Sequence, residues 1–306
     1  MSHIAITAVI PAFNREEHIG RALASVLGQT SPPDEILVVD DGSQDATAEI
    51  ARSVAGVAVL QQENRGAGPA RDAGLRSATC RWVAFLDSDD EWTSNHLARM
   101  RHAIEKTQGD AALYFADVQL PASEGSTLWR ASGFDIGTEP YLLQMDGAPW
   151  AFRPRHPMLL QAAVVHRQRA LITGGFHPSL TRAREDTLFF LSLSLDHPVC
   201  AVSGIGTVMH EDAPCRLGER DRRKSDQYWT DTVFLYRHLR TRARGNLAAT
   251  RQCQLRELHG WLRLANGAAQ RKQFAKCVMF IAAGLRVAPL QAVSRMLDKV
   301  RKQATS

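Results

Sequence analysis

Cysteine is scarce in this 306-residue chain and has no pattern. The five cysteines, at positions 80, 200, 215, 253 and 277, form no C-x-x-C pair and are odd in number. That argues against a disulfide framework and reads as buried or idle thiols in a reducing compartment. Long apolar runs are missing as well. No window reaches the ~18 uncharged apolar residues expected of a membrane span, and the stretch Cys277 to Leu285 near the C-terminus falls well short. Met1-Ser2-His3-Ile4 enters a strand at once, with neither a basic region nor a cleavage site, so no secretory leader is expected. No repeat of solenoid length occurs. What remains, with 44% hydrophobic and 23% charged residues, is an ordinary globular composition, long enough for one large domain and an appendage.

Charge, by contrast, is present and uneven. The net +5 conceals −9 over residues 1–215 (17 Lys/Arg against 26 Asp/Glu) and +14 over residues 216–306 (20 against 6). Two modules with different partners are expected. The basic one suits nucleic acid, anionic lipid or an acidic acceptor, or is a set of solvated helix faces docked on the acidic domain. Nucleic acid is disfavoured, because no recognised motif or aromatic-basic platform accompanies the charge.

Along the chain, Ile4 to Ile10 reads as a buried strand ended by Pro11-Ala12-Phe13-Asn14, followed by a helix from Arg15 to Gln29. Glu35 to Val39 is a second strand ending in Asp40-Asp41-Gly42-Ser43, with Asp45 as N-cap of a helix through Ser53. Val57 to Leu60 is a third strand. Asn64 to Gly68 is a glycine loop leading a helix from Pro69 to Ala78, and Trp82 to Leu86 is a fourth strand. The alternation predicts a doubly wound α/β sheet, whose ligands sit outside the carboxyl ends of its strands. Pro11, Asp41 and Asp87 to Asp89 all fall there. The glycine loop is not a dinucleotide fingerprint, since Arg71 stands where the third glycine belongs. Ala111 to Ala116 reads as a strand, Pro121 to Trp150 as a mobile loop rich in turn formers, Thr187 to Leu195 as a helix, and Val199 to Val208 as one or two strands. Candidate helices follow at about 225–243, 248–266, 268–285 and 289–303, the last two parted by Pro289.

The strand Trp82 to Leu86 runs straight into Asp87-Ser88-Asp89-Asp90. In an extended chain Asp87 and Asp89 point the same way. Two converging carboxylates need a cation, a proton or water between them, and few hard oxygen ligands suit Mg2+ or Mn2+ shared with a phosphate. The alternative is an acidic turn capping the helix that starts near Ser94.

Four segments together resemble the family 2 inverting glycosyltransferases of GT-A fold: Val9 to Asn14, Val38 to Ser43, Asn64 to Asp72, and Phe85 to Asp90. A weaker fifth is Gly174-Gly175-Phe176 with Glu185-Asp186. The resemblance covers residues 4–190 and implies a GT-A domain over 1–215, a doubly wound mixed sheet flanked by helices; the basic region 216–306 matches no motif and reads as helical. The implied activity moves a sugar from a nucleotide-sugar, UDP-linked by family preference, to a saccharide or lipid-linked acceptor in cell-surface polysaccharide or glycolipid synthesis, with Mg2+ or Mn2+ as cofactor. By similarity, Asp89 is the firmer metal ligand, and Asp87 touches the sugar, ribose or metal, with Ser88 beside them. Asp41 faces the base, whose imide N–H a carboxylate can accept. Pro11, Ala12 and Phe13 shape the base and ribose pocket, and Arg71 holds the base or a phosphate. Asp186 matches the general base, with Gly175 and Glu185 on the acceptor side. His210 is a candidate third metal ligand or phosphate contact. Relatives often carry an aromatic-arginine pair where Met209-His210 stands here, and an arginine after Asp186 that this chain lacks. Both departures bear on the acceptor side.

Two other readings stay open. A nucleotidyltransferase shares the α/β design and acidic site, but usually places a basic glycine-rich loop where Pro11 to Asn14 stands. A binding protein with a non-catalytic domain would use the basic region on an anionic membrane surface, where juxtamembrane cations each add ~1 kcal/mol. The expected place of the protein is the cytoplasm, with peripheral attachment to the inner face of the membrane.

Overall fold

Ile6–Ala12 (β1) is buried at every position, and a strand buried on both faces belongs in a sheet covered on both sides. In the computed structural model, which describes residues 3–153, 155–180, 184–212 and 225–288, β1 lies inside a mixed sheet. It pairs in parallel with β2 (Glu35–Asp40), which pairs in parallel with β3 (Val57–Gln61). On its other edge β1 pairs in parallel with β4 (Trp82–Phe85). Helices α1 (Ile19–Leu27), α2 (Thr47–Ser53) and α3 (Ala67–Ser77) make the crossovers. The expected doubly wound half is therefore present. Asp45 supports α2 from one position further out than expected: the cap residue is Ala46, and Asp45 accepts from the N–H and hydroxyl of Thr47.

Beyond β4 the sheet is mixed. After β5 (Glu91–Trp92) and α4 (His96–Lys106) come β6 (Leu113–Gln119), α5 (Leu128–Ser132), β7 (Tyr141–Gln144), α6 (Ala148–Ala151), β8 (Ala163–His166), α7 (Arg167–Thr173), α8 (Glu185–Asp196) and β9 (Val199–Val208). The strand order is β3-β2-β1-β4-β8-β6-β9-β5, with β7 added on β9. The β4–β8, β8–β6, β9–β5 and β7–β9 pairs are antiparallel, while β6–β9 pairs in parallel. The segment from Pro121 to Trp150 is thus more than a loop. Its β7 pairs with the first residues of β9, and its rings Trp129, Phe134 and Trp150 pack around Phe115 at 5.9–6.0 Å. Partners that distant in sequence leave no periodic signal in the segment itself.

The chain divides into two compact units, Met1–Arg216 and Leu217–Ser306, with the boundary outside the described residues. The second holds α9 (Asp226–Arg242), α10 (Leu247–Gln270) and α11 (Phe274–Val287). The helix expected at 289–303 lies outside the described residues. Part of the unit's positive charge is paired within it, though the arginines themselves reach solvent. Glu257 is fully buried and takes Arg237 and Arg240, each at 3.2 Å, and Arg263 lies over the Trp229 ring at 5.0 Å. Among the described residues no helix is long and apolar enough to cross a membrane, and Cys80, Cys200, Cys253 and Cys277 are free thiols.

One buried base makes the fold acid-sensitive. His96, the first residue of α4, is fully buried beside Trp92, and among the described residues neither ring nitrogen has a hydrogen-bond partner. Burial, helped by the Arg99 charge, pushes its pKa down to about 3. The unfolded chain binds this proton from pH ~6.5 downward while the folded chain refuses it. The stability contribution is whole above pH ~6.5 and is lost as pH falls toward 3, at up to about 1.4 kcal/mol per pH unit. Urea unfolding at pH 7.5 and 5.5 is expected to show wild type losing about 1 kcal/mol more than His96→Leu between the two; parallel losses would refute this.

Candidate active site

The site begins where two strands part. The Leu86 N–H donates to the Val9 carbonyl at 3.1 Å, so odd-numbered residues of β1 face β4 across the ladder. Two residues on, Pro11 has no N–H to offer, and β4 has already left the pairing, which ends at Val9–Phe85. A proline is tolerated where the ladder has no bond to lose. The gap opens into a cleft of about 450 Å³ lined by Pro11, Ala12, Phe13, Asn14 and Arg15 from the end of β1, by Asp41, by Ala70 and Arg71 of α3, and by Asp87, Ser88 and Asp89. Pro11, Ala12 and Ser88 are buried, while Phe13 stands at the mouth, 40% exposed.

Asp41 follows β2 and is buried. Its Oδ1 accepts from Gln62 Nε2 (2.6 Å) and the Arg65 N–H (2.9 Å), and its Oδ2 from the Gly66 N–H (2.8 Å). In this structure the carboxylate shapes the glycine loop that enters α3. A carboxylate has about four lone-pair sites, so one more donor can still be accepted from the cleft.

The acidic run differs in one respect from its reading as an extended strand. β4 stops at Phe85, and Asp87 to Asp90 form a turn closed by the Asp90 N–H on the Asp87 carbonyl at 3.1 Å. The turn, not strand alternation, gathers the carboxylates, and it brings in a third. Ligand oxygens of Asp87, Asp89 and Asp90 lie within 4.8 Å of one another. Asp90 is fully buried, with Oδ1 taking the His210 N–H and Oδ2 taking Gln161 Nε2, both at 3.3 Å. Arg21 of α1 steadies the turn through the Asp89 carbonyl at 2.7 Å. Arg15 Nε lies 3.9 Å from Asp89 Oδ2. Three anionic oxygen donors so close, partly offset by fixed cations, fit a hard divalent ion such as Mg2+ or Mn2+. His210 is the expected further ligand; its backbone N–H reaches the cluster at Asp90, and its ring Nε2 lies 3.3 Å from Glu91 Oε1.

Arg71 links this turn to α8. It is buried, donating from one terminal nitrogen to Asp87 Oδ1 at 2.6 Å and from the other to Glu185 Oε1 at 2.9 Å. Burial works against its charge, but Asp87 and Glu185 outweigh that and raise its pKa. Glu185 is buried as well. Burial raises its pKa, the neighbouring Asp186 charge adds to this, and Arg71 opposes both. The approach depends on Gly68 in the first turn of α3: a Cβ there would sit 2.8 Å from the Leu180 carbonyl and 3.2 Å from the Glu185 side chain. Glu185 therefore faces inward to Arg71, and Asp186 beside it is half-buried, with Oδ1 bonded to the Thr187 N–H at 2.5 Å and to the Thr187 hydroxyl at 3.2 Å. Both acids sit in the first turn of α8, where the helix dipole favours them. Gly175, at φ +63°, has no room for a Cβ against Asp72. Asp72 receives the Phe176 N–H at 3.0 Å, and the Phe176 ring stacks on Phe189 of α8 at 4.3 Å and meets Phe85 of β4 edge-on at 5.6 Å. The Gly174-Gly175-Phe176 segment is a wedge that seats α8 on the sheet.

Asp90, Arg15 and the Arg71–Glu185 bond are the features sequence reasoning missed. A third carboxylate in the same run was the available signal for Asp90; nothing local points to the other two.

Comparison with known proteins bears on this geometry. Residues 7–165 match the model of glycosyl transferase family 2. The chain is 35% identical over 208 residues to the succinoglycan biosynthesis protein ExoW of Rhizobium meliloti, covering 60% of this chain and 62% of that one. It is 33% identical over 129 residues to the putative teichuronic acid biosynthesis glycosyltransferase TuaG of Bacillus subtilis, covering 40% and 50%. In both cases the match spans less than two thirds of the relative's length. Among solved structures, S. aureus TarS 1–349 in complex with UDP-GlcNAc aligns with a TM-score of 0.65 at 17% identity, over 94% of this chain and 82% of that one. Mannosyltransferase PcManGT of Pyrobaculum calidifontis, in complex with GDP-Man and Mn2+, aligns at 0.57 and 19%, over 98% and 80%. These likenesses bear out the expected GT-A architecture and its C-terminal helical region.

Removing one member of the buried pair strands the other. Arg71→Met is expected to cost about 3–5 kcal/mol in urea unfolding, and Arg71→Met with Glu185→Leu clearly less than that. A single substitution costing under about 1 kcal/mol would show that the pair is effectively solvated.

Proposed function

The chain belongs to glycosyl transferase family 2, and on that premise we propose that it is an inverting, metal-dependent glycosyltransferase. It moves one sugar from a nucleotide-sugar, by preference a UDP-sugar, to a saccharide or lipid-linked acceptor in cell-surface polysaccharide or glycolipid synthesis. One observation carries the reading: a single cleft gathers Asp41, Asp87 and Asp89, and Arg71 ties it to the helix that bears Asp186. The names of relatives such as ExoW and TuaG, both for polymer biosynthesis, support the acceptor class.

In this reading Pro11, Ala12 and Phe13 form the wall for base and ribose, and Asp41 uses its remaining lone-pair capacity on a base N–H. Asp89 and Asp87, with Asp90 behind them, hold Mg2+ or Mn2+, which when bound supplies Lewis-acid neutralisation of the departing diphosphate. Arg71 fixes the Asp87 carboxylate rather than reaching the donor itself. Asp186 accepts the proton of the acceptor hydroxyl as that oxygen bonds to the anomeric carbon, opposite the breaking bond to the diphosphate oxygen; attack from the far side inverts the centre. Glu185 orients α8 and so Asp186, and Gly175 seats the same helix. Residues 1–215 are the catalytic module. Residues 216–306, net +14, place it on an anionic membrane surface near a lipid-linked acceptor, at the cytoplasmic face.

Two substitutions separate the roles. With Mn2+ and a panel of nucleotide-sugars read by mass spectrometry, Asp89→Ala is expected to abolish turnover and to weaken Mn2+-dependent UDP binding. Asp186→Asn is expected to keep that binding and lose ~10²–10⁴-fold in transfer rate. Wild-type rates in Asp89→Ala would remove the metal role.

A further inference from the structure

The helical unit offers a face whose chemistry does not match water. α11 is apolar nearly all round, a pattern of helices buried in a core or in contact with lipid. One side is satisfied within the unit: Phe280 meets Trp261 of α10 at 5.7 Å, Gly284 lies against Leu258 and Trp261, and Val287 is buried. The other side is open. Phe274 is 69% exposed, Val278 66% and Met279 56%, with Ala275 and Ala282 exposed among them. At 3.6 residues per turn and 1.5 Å per residue these five span an arc of about 140° over about 12 Å of the helix. Cations border it: Arg271 and Lys272 just before the helix, Lys276 on its flank and Arg286 in its last turn, all exposed. No acidic residue occurs between Arg271 and Arg286.

We propose that this face of α11 inserts into an anionic phospholipid surface, with Phe274, Val278 and Met279 below the headgroups and Arg271, Lys272, Lys276 and Arg286 among the phosphates. An apolar arc with a cationic border is the form of an in-plane interfacial helix. The proposal deepens the membrane reading given above for residues 216–306 and changes its physics. Charge alone predicts full release at high salt, because exposed charges are screened within about 10 Å at 0.1 M. Buried apolar area is not screened. Charge complementarity selects lipid over a second copy of the chain, since two such faces would bring their cationic borders together.

The test uses the full chain and vesicles of phosphatidylcholine, alone or mixed equally with phosphatidylglycerol, in flotation at low and high NaCl. Wild type is expected to float with the anionic vesicles and to keep a measurable bound fraction at high salt. The triple variant Phe274→Ser, Val278→Ser, Met279→Ser is expected to lose roughly tenfold or more in partitioning and all of the salt-resistant fraction. Lys272→Glu with Lys276→Glu should weaken low-salt binding. Circular dichroism melting confirms that the variants are folded, and nucleotide-sugar hydrolysis without lipid should be unchanged in the triple variant, so a failed membrane result is distinguishable from a failed catalytic one. Wild-type partitioning by the triple variant, or no flotation of wild type, overturns the proposal. So does a lipid-free dimer by light scattering that the triple variant converts to monomer, which would assign the face to a second copy.

Discussion

A guanidinium in a protein interior needs anions within reach, and Arg71 draws its two from opposite sides of the site. Asp87 comes from the turn after β4 and Glu185 from the first turn of α8. The three groups come from segments up to 114 residues apart. Each would be costly to bury alone, and mutual pairing offsets the desolvation only when the geometry is tight. Gly68 permits that geometry by letting α3 approach Glu185 without a side chain between. The consequence is mechanical as much as energetic. The corner that gathers three carboxylates and the helix that carries Asp186 cannot shift independently while both hold one arginine.

Around this link the molecule uses ordinary devices to keep the cleft open and rigid. Pro11 ends the β1 ladder where β4 departs, Asp41 ties down the glycine loop with three bonds, and Arg21 holds the carbonyl of Asp89. The Phe85, Phe176 and Phe189 rings weld α8 to the sheet; such aromatic pairs contribute about 0.5–1.5 kcal/mol each beyond their area. The acids are thereby held in place ahead of any ligand, which lowers the ordering cost of binding one.

The C-terminal unit follows a different logic. Its core is small, and part of its positive charge is paired at its surface with the buried Glu257 and with the faces of Trp229, Trp261 and Tyr236. The remainder lies outside, next to an apolar arc that a purely soluble helix would have little reason to keep.

Local sequence determined the parallel half of the sheet, because continuous apolar strands punctuated by Pro, Gly and Asp encode burial and turning within a few residues. It also located the strand ends where Pro11, Asp41 and Asp87 stand, and so the cleft. It did not reveal β7, whose partner β9 lies some 55 residues away. It placed Asp87 and Asp89 together for the wrong geometric reason, since a turn rather than a pleat unites them and adds Asp90. Above all, the resemblance put Arg71 with the donor and Glu185 on the acceptor side, and nothing in the local sequence of either shows that the two are bonded to each other. Only the tertiary structure could decide that these two are used on each other, since a buried ion pair is a property of two distant segments brought into contact and has no signature in either alone.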